Sequence, residues 1–145
     1  MPARGITQRQ KQSVTERAGN QCEYCRSPGR VGTHPFSVEH ITPRQKGGTS
    51  TLDNLALSCQ GCNNHKHTKV EANDPDTGQT VPLYHPRRHR WRDHFCWSED
   101  LTTIVGLTPT GRATVEALHL NREMVVNFRR LLIQLGQHPP EEADE

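Results

Sequence analysis

The chain has 145 residues, of which 31% are hydrophobic and 5% aromatic, and its formal net charge is +2 at pH 7. That length suits one domain, or one small domain with an extension, and the apolar content is low for a core of that size. No apolar run reaches the length of a membrane span. The N-terminal "MPARGITQRQKQSVTERAG" is basic but lacks the apolar stretch of a secretory leader. The expected setting is the reducing cytoplasm, where paired cysteines point to a metal rather than to disulfides.

Charge is spread unevenly. Glu141, Glu142, Asp144 and Glu145 follow Pro139 and Pro140, and setting those four aside leaves 18 basic residues against 12 of the 16 acidic ones. The remaining body is modestly basic, as suits a nucleic-acid partner. Residues 139–145 are expected to be a disordered, solubilising acidic tail.

Residues 1–6 read as a loose arm. From Thr7, "TQRQKQSVTERAGN" predicts a helix capped by Thr7 and ended by Gly19. "QCEYC" is a tight turn, and residues 26–35, with Pro28, Gly29, Gly32 and Pro35, form a loop. "FSVEHI" alternates and predicts a short strand with Phe36, Val38 and Ile41 inward. "PRQKGGTS" is a loop, "LDNLALSC" a second extended segment and "CNNHKHTKVEA" a short helix.

The composition then shifts. "NDPDTGQTVPLYHPRR" lacks a helical period and reads as an extended arm. "HFCWSEDLTTIVGLT" predicts a β-hairpin turning at "SED", with Trp97, Ile104 and Val105 packing inward. "TPTGRATVEALHL" opens with a helix-start signal. "NREMVVNFRRLLIQLG" predicts a helix capped by Asn121 and stopped by Gly136, with Met124, Phe128, Leu131 and Leu132 near one face. That last helix is free to pack on the body or to form a homodimer contact.

Cys22-x-x-Cys25 and Cys59-x-x-Cys62 are two knuckles, each able to bring two thiolates to one ion. Together they supply four soft ligands, the closed tetrahedral set of structural zinc. Such a site leaves no open position for water, so its expected role is folding: it staples a thin core. Cys96, between Phe95 and Trp97, is left over and reads as a core residue. The knuckles bracket the segment that holds Glu39 and His40.

Read in order, the chain offers Cys-x-x-Cys, then Glu39, His40 and Pro43, then Gly47-Gly48, Asp53-Asn54-Leu55, and Cys59-x-x-Cys62-Asn63-x-x-Lys66. This series resembles the HNH nuclease family, the ββα-metal or His-Me finger group, over residues 22–69. The resemblance implies an α+β fold in which two short antiparallel strands and a helix carry the site. It implies His40 as general base, Asn54 as the residue that holds the loop and helps orient that histidine, and Glu39 and Asn63 as ligands of a catalytic Mg²⁺ or Mn²⁺. Glu39 departs from the more usual Asp or His before the base. With residues 62–70 helical, His67 lies four residues from Asn63 on one face and is a candidate third ligand.

The organisation that follows is an N-terminal helix and nuclease core with zinc knuckles at 1–70, then an arm, hairpin and two helices packing on the core at 71–138, then the tail at 139–145. "LTPTGRATVEALHLN" resembles a downstream extension of some small stand-alone bacterial HNH proteins, which suggests a bacterial or phage source.

The chemistry suits these residues. Neutral His40 can take a proton from water near neutral pH, and a hard divalent ion can hold phosphate oxygens and stabilise the leaving 3′ oxygen. The elementary step is a single-strand cut. Candidate DNA contacts are Arg44 and Lys46 beside the Gly-Gly loop, Lys66 and Lys69 on the second helix, and Arg87, Arg88 and Arg90 in "HPRRHRWR". The "HPRRHRWR" run could equally be a solvated basic face. The function expected is therefore a metal-dependent endonuclease that nicks double-stranded or branched DNA. The alternatives are a non-catalytic zinc-stabilised module that binds DNA or protein, and an RNA-cleaving nuclease.

Overall fold

The computed structural model describes residues 5–141. Residues 1–4 of the N-terminal arm, and Glu142, Asp144 and Glu145 of the acidic tail, lie outside them. Helix α1 (Gln8–Arg17) starts in a capping box: Thr7 Oγ1 accepts from the Gln10 N–H at 3.1 Å, and the Gln10 side-chain oxygen accepts from the Thr7 N–H at 2.9 Å. It ends before Gly19, whose φ is +65°.

Strands β1 (Ser37–His40) and β2 (Leu55–Ser58) pair antiparallel, with Val38 opposite Leu57, Glu39 opposite Ala56 and His40 opposite Leu55. Helix α2 (Gln60–Lys66) follows directly, completing a ββα unit. Alternation along β1 differs from the expectation. Its buried residue is Glu39, whereas Phe36 and Val38 are only half-buried. The reason is that both faces of this small sheet are covered. Leu55, Leu57 and Val38 pack against Val14 and Ala18 beside α1, whereas Ala56 and Ile41 join the larger core with Cys62.

Beyond residue 70 the expected extended arm is a hairpin of β3 (Glu71–Asn73) and β4 (Thr80–Pro82). Asp74 organises its turn: the carboxylate accepts from the Asp76 N–H, the Thr77 hydroxyl and two nitrogens of Arg112, each at 2.9–3.1 Å. Proline sits harmlessly at the strand end, where no ladder bond is required of it. A short helix α3 (Trp91–His94) leads into the expected hairpin, β5 (Phe95–Trp97) with β6 (Ile104–Gly106). Within it Ile104 is buried and Trp97 packs on the core, but Val105 is exposed. Cys96 is also exposed, because it points to the opposite side of β5 from Phe95.

Helix α4 (Pro109–Ala117) has Thr108 as its cap, bonded to the Gly111 N–H, and Pro109 in its first turn. Helix α5 (Glu123–Gln134) starts one residue later than expected, at cap Arg122. Asn121 is spent elsewhere: its side chain pairs with both backbone groups of Ile104, at 2.7 and 2.8 Å. The buried face of α5 is Val125, Arg129 and Leu132, and Met124 and Leu131 are exposed. Buried Arg129 donates to the carbonyls of Thr102 and Leu120, which turns the helix toward that side. The larger core joins Tyr24, Ile41 and Cys62 from the first half to Tyr84, Trp91, Phe95, Ile104, Leu118 and Leu120 from the second. Among the described residues no helix is long and apolar enough to cross a membrane.

The Arg112 guanidinium holds the Asp74 carboxyl well below the usual carboxylate range. A depressed carboxylate pKa contributes stability above its unfolded value and loses it as pH falls. Asp74→Asn should therefore lower the melting temperature at neutral pH, with the gap to wild type narrowing below about pH 4. Thermal denaturation across a pH series measures both.

Candidate active site and cysteine cluster

Cys22 and Cys25 sit in the turn after α1, while Cys59 caps α2 and Cys62 lies in its first turn. Their four sulfurs all lie within 4.8 Å of one another. In each knuckle the second cysteine's N–H points at the first one's sulfur, at 3.5 Å for Cys25 to Cys22 and 3.4 Å for Cys62 to Cys59. Four soft donors closed on a single point, with backbone N–H groups supporting them, fit a zinc ion.

A further partner was invisible in the sequence. Arg122 at the start of α5 sets its guanidinium 3.5 Å from Cys59 Sγ and 3.7 Å from Cys62 Sγ. It can balance part of the negative charge of a tetrathiolate. Gly61 allows this approach, since a Cβ there would overlap the guanidinium. Sixty residues of separation left no local signal for the pairing.

On the sheet above this cluster, His40 ends β1 half-buried, with Nε2 2.9 Å from the Ser50 hydroxyl. Partial burial, and then the nearby Arg44 charge, holds its pKa below the ordinary histidine value. Asn54 is buried and ties the intervening loop together. Its Oδ1 accepts from the Thr42 N–H at 2.9 Å, and its Nδ2 donates to the carbonyls of Thr42 and Thr49 at 3.0 and 2.8 Å. Gly48 sits inside this knot, where a Cβ would overlap the Thr42 carbonyl oxygen and crowd Asn54. Gly47 before it takes a φ of +92°. The Gly-Gly pair is thus a requirement of backbone shape.

Residues 22–69 match the family model for HNH endonuclease. That segment is an HNH domain. The chain is also 28% identical over 125 residues to the Septu protein PtuB of Bacillus thuringiensis, covering 85% of this chain and 45% of that protein. It therefore spans less than half the length of this relative, and the likeness runs beyond the HNH domain. No solved structure matches the chain.

Within the HNH domain the other expected site residues are placed unevenly. Glu39 is buried on the face of β1 away from the Val38 side. One carboxylate oxygen receives the Tyr24 hydroxyl and the other the Lys66 ammonium at 3.3 Å. Burial pushes its pKa up, against the pull of Lys66 and Tyr24. Lys66 is correspondingly unavailable as a DNA contact: it is 1% exposed and also donates to the Ile41 carbonyl at 2.7 Å. The α2 helix ends at Lys66, so His67 is not on its face with Asn63. His67 is an exposed cap residue with φ +51°, which swings its ring toward Thr68. Asn63 remains half-buried within α2.

Arg87 is likewise not a free cation. It is paired with Glu23, and burial lowers its pKa to about 10. The second Glu23 oxygen accepts from the Leu57 N–H at 2.8 Å, so this pair braces β2. Arg44, Lys46, Lys69, Arg88 and Arg90 are exposed. Ser50 was missed in the sequence reading, although the "GGTS" loop placed it within reach. Its carbonyl also accepts from Gln10 at 2.6 Å, tethering the loop to α1.

Two outcomes follow. Gly48→Ala should cost about 1–3 kcal/mol in denaturant unfolding, because the clash is with backbone that Asn54 holds in place. Arg122→Ala should lose its zinc to a competing chelator at least about tenfold more readily than wild type, read with a colorimetric zinc indicator.

Proposed function

We propose that this chain is an HNH endonuclease that hydrolyses a phosphodiester bond of DNA, cutting one strand per visit, with His40 as general base. The observation that carries this reading is the state of His40. Its ring is half-buried, beside a fixed cation, and held at one nitrogen by Ser50. Burial and the Arg44 charge favour the neutral imidazole, the form that can accept a proton, and the Ser50 contact orients the ring. In the tautomer whose Nε2 donates to Ser50 Oγ, Nδ1 carries the free lone pair and is the atom to take the proton from the attacking water. Asn54 acts through the loop: by fixing Thr42 and Thr49 it sets the strand end and the Ser50 hydroxyl against the ring. Arg44 and Lys46 flank the same loop and suit the phosphates of the substrate strand.

The resemblance brings a catalytic Mg²⁺ or Mn²⁺ with it, whose chemistry when bound would be to neutralise phosphate charge and stabilise the leaving oxygen. The donors do not fit such an ion as they stand. Both oxygens of Glu39 are taken by Tyr24 and Lys66, and His67 lies beyond the helix end. The four-cysteine cluster is the one group of three or more ligating His, Cys, Asp or Glu residues among the described residues. The locked Glu39 favours one alternative, a zinc-stabilised module that binds nucleic acid without cutting it.

Supercoiled plasmid separates the two. Wild type incubated with Mg²⁺ or Mn²⁺ should convert it to open circles, and folded, zinc-loaded His40→Ala should be slower by about 10²–10⁴-fold. Equal rates in the two proteins would remove His40 as the base, and no cutting by folded wild type on plasmid, branched DNA or RNA would leave the binding module. Because the folded-state pKa of His40 lies below 6.5, the rate should rise with pH and level off before neutrality; Arg44→Gln should move that rise to higher pH.

A further inference from the structure

Outside the HNH motif, the turn 85–89 between β4 and α3 closes over a cavity of about 210 Å³. Its polar walls are Thr42, Lys66, Tyr84, His85, Arg88 and His89. No carboxylate lines it. Every one of these side chains except Thr42 and Tyr84, whose hydroxyls can both donate and accept, is cationic or an N–H donor. Both histidines have their acceptor nitrogen occupied: His85 Nδ1 accepts from the Arg87 N–H at 3.2 Å, and His89 Nδ1 from the His85 N–H at 3.0 Å. In the neutral ring the proton then sits on Nε2, so each offers a donor and no acceptor. Burial, followed by the Arg88 charge, lowers the His85 pKa to about 4, which keeps that tautomer at working pH. Lys66 is buried and held by Glu39 and the Ile41 carbonyl, so it adds positive charge behind the wall and not a contact. Arg88 is exposed and makes no ion pair among the described residues.

A set dominated by donors, with no carboxylate among them, is matched by an anion rich in oxygen acceptors. The location narrows the source. Thr42 forms one wall of this cavity, and its backbone groups are also those held by Asn54. His40 is two residues away, no more than about 7 Å along an extended chain. That spacing brings neighbouring phosphates of one strand within reach of both.

We infer that the side of this cavity formed by Thr42, His85, Arg88 and His89 binds a phosphate of the nucleic-acid strand next to the one His40 attacks. The inference rests on the nuclease reading above, and it gives that site a substrate contact supplied from outside the HNH domain. Arg88 is the binding residue and the turn 85–89 its support.

The test uses full-length His40→Ala protein, zinc-loaded and folded by circular dichroism, so that bound DNA stays intact. A fluorescein-labelled duplex is titrated by anisotropy over a salt series, with Arg88→Gln, Arg88→Lys and the exposed-residue control Arg130→Gln added in turn. Arg88→Gln should weaken binding about tenfold and reduce the salt slope by about one. Arg88→Lys should recover most of the loss, and Arg130→Gln should bind as the parent. In duplexes with one neutral methylphosphonate at successive positions, one position should weaken the parent and leave Arg88→Gln unaffected. Parent-like binding and slope in Arg88→Gln overturn the inference while leaving the nuclease reading standing. Inorganic phosphate that raises the melting temperature through Arg88, with DNA binding unchanged, overturns the strand assignment in favour of a free anion. Absence of DNA binding by the folded parent removes both.

Discussion

The closure between Cys22–Cys25 and Cys59–Cys62 is the constraint on which the rest depends. It joins the turn before β1 to the first turn of α2, so the two strands and their loop are held within one short ring of chain. The need is quantitative. Only four residues pair on each strand, and an isolated two-stranded hairpin is marginal in water. Domains of this size have net stabilities of about 5–15 kcal/mol. Zinc held by structural sites contributes on the order of 10 kcal/mol. An ion of that kind in this cluster would therefore decide whether the ββα unit exists at all, and with it whether the loop that Asn54 ties together sets Ser50 against His40.

Inside that frame, the two acids near β1 and β2 have been turned into braces. Glu23 joins the Leu57 N–H to Arg87, and Glu39 joins Tyr24 to Lys66. Buried pairs of this kind add little net stability over apolar packing, but removing one partner is costly. Their effect is on specificity: they fix which face of β1 looks inward. With Glu39 turned into the core, the adjacent His40 is carried to the other side by the strand's two-residue period.

This explains why the sequence was legible in some places and opaque in others. The Thr7 cap, the strand–strand–helix order and the paired cysteines rest on local spacing, and local spacing is what a sequence displays; the α+β class came with the HNH resemblance. The inward set of β1 was misread because alternation assumes one covered face, and this sheet has two. Lys66 and Arg87 looked like solvent-facing cations because their partners, Glu39 and Glu23, lie 27 and 64 residues away. His67 was placed on α2 by continuing a helix that stops at Lys66. The buried face of α5 was missed because Arg129, not an apolar residue, occupies its centre, with backbone carbonyls from two other segments as its partners.

The second half of the chain supplies most of the cations that sit against the first. A lysine or arginine removed from water must find acceptors, and residues after 70 meet the first half of the chain in three places. Arg122 lies against the cysteine sulfurs, Arg87 reaches back to Glu23 under β2, and the turn 85–89 stands beside Thr42 and Lys66. Tyr84, Trp91 and Phe95 complete the same core as Tyr24 and Cys62. The HNH domain therefore does not present a finished surface to which an extension has been appended. Its cysteine cluster, its second strand and the wall behind its Gly-Gly loop each take a residue from the later segment, so substitutions there reach the site through packing and charge.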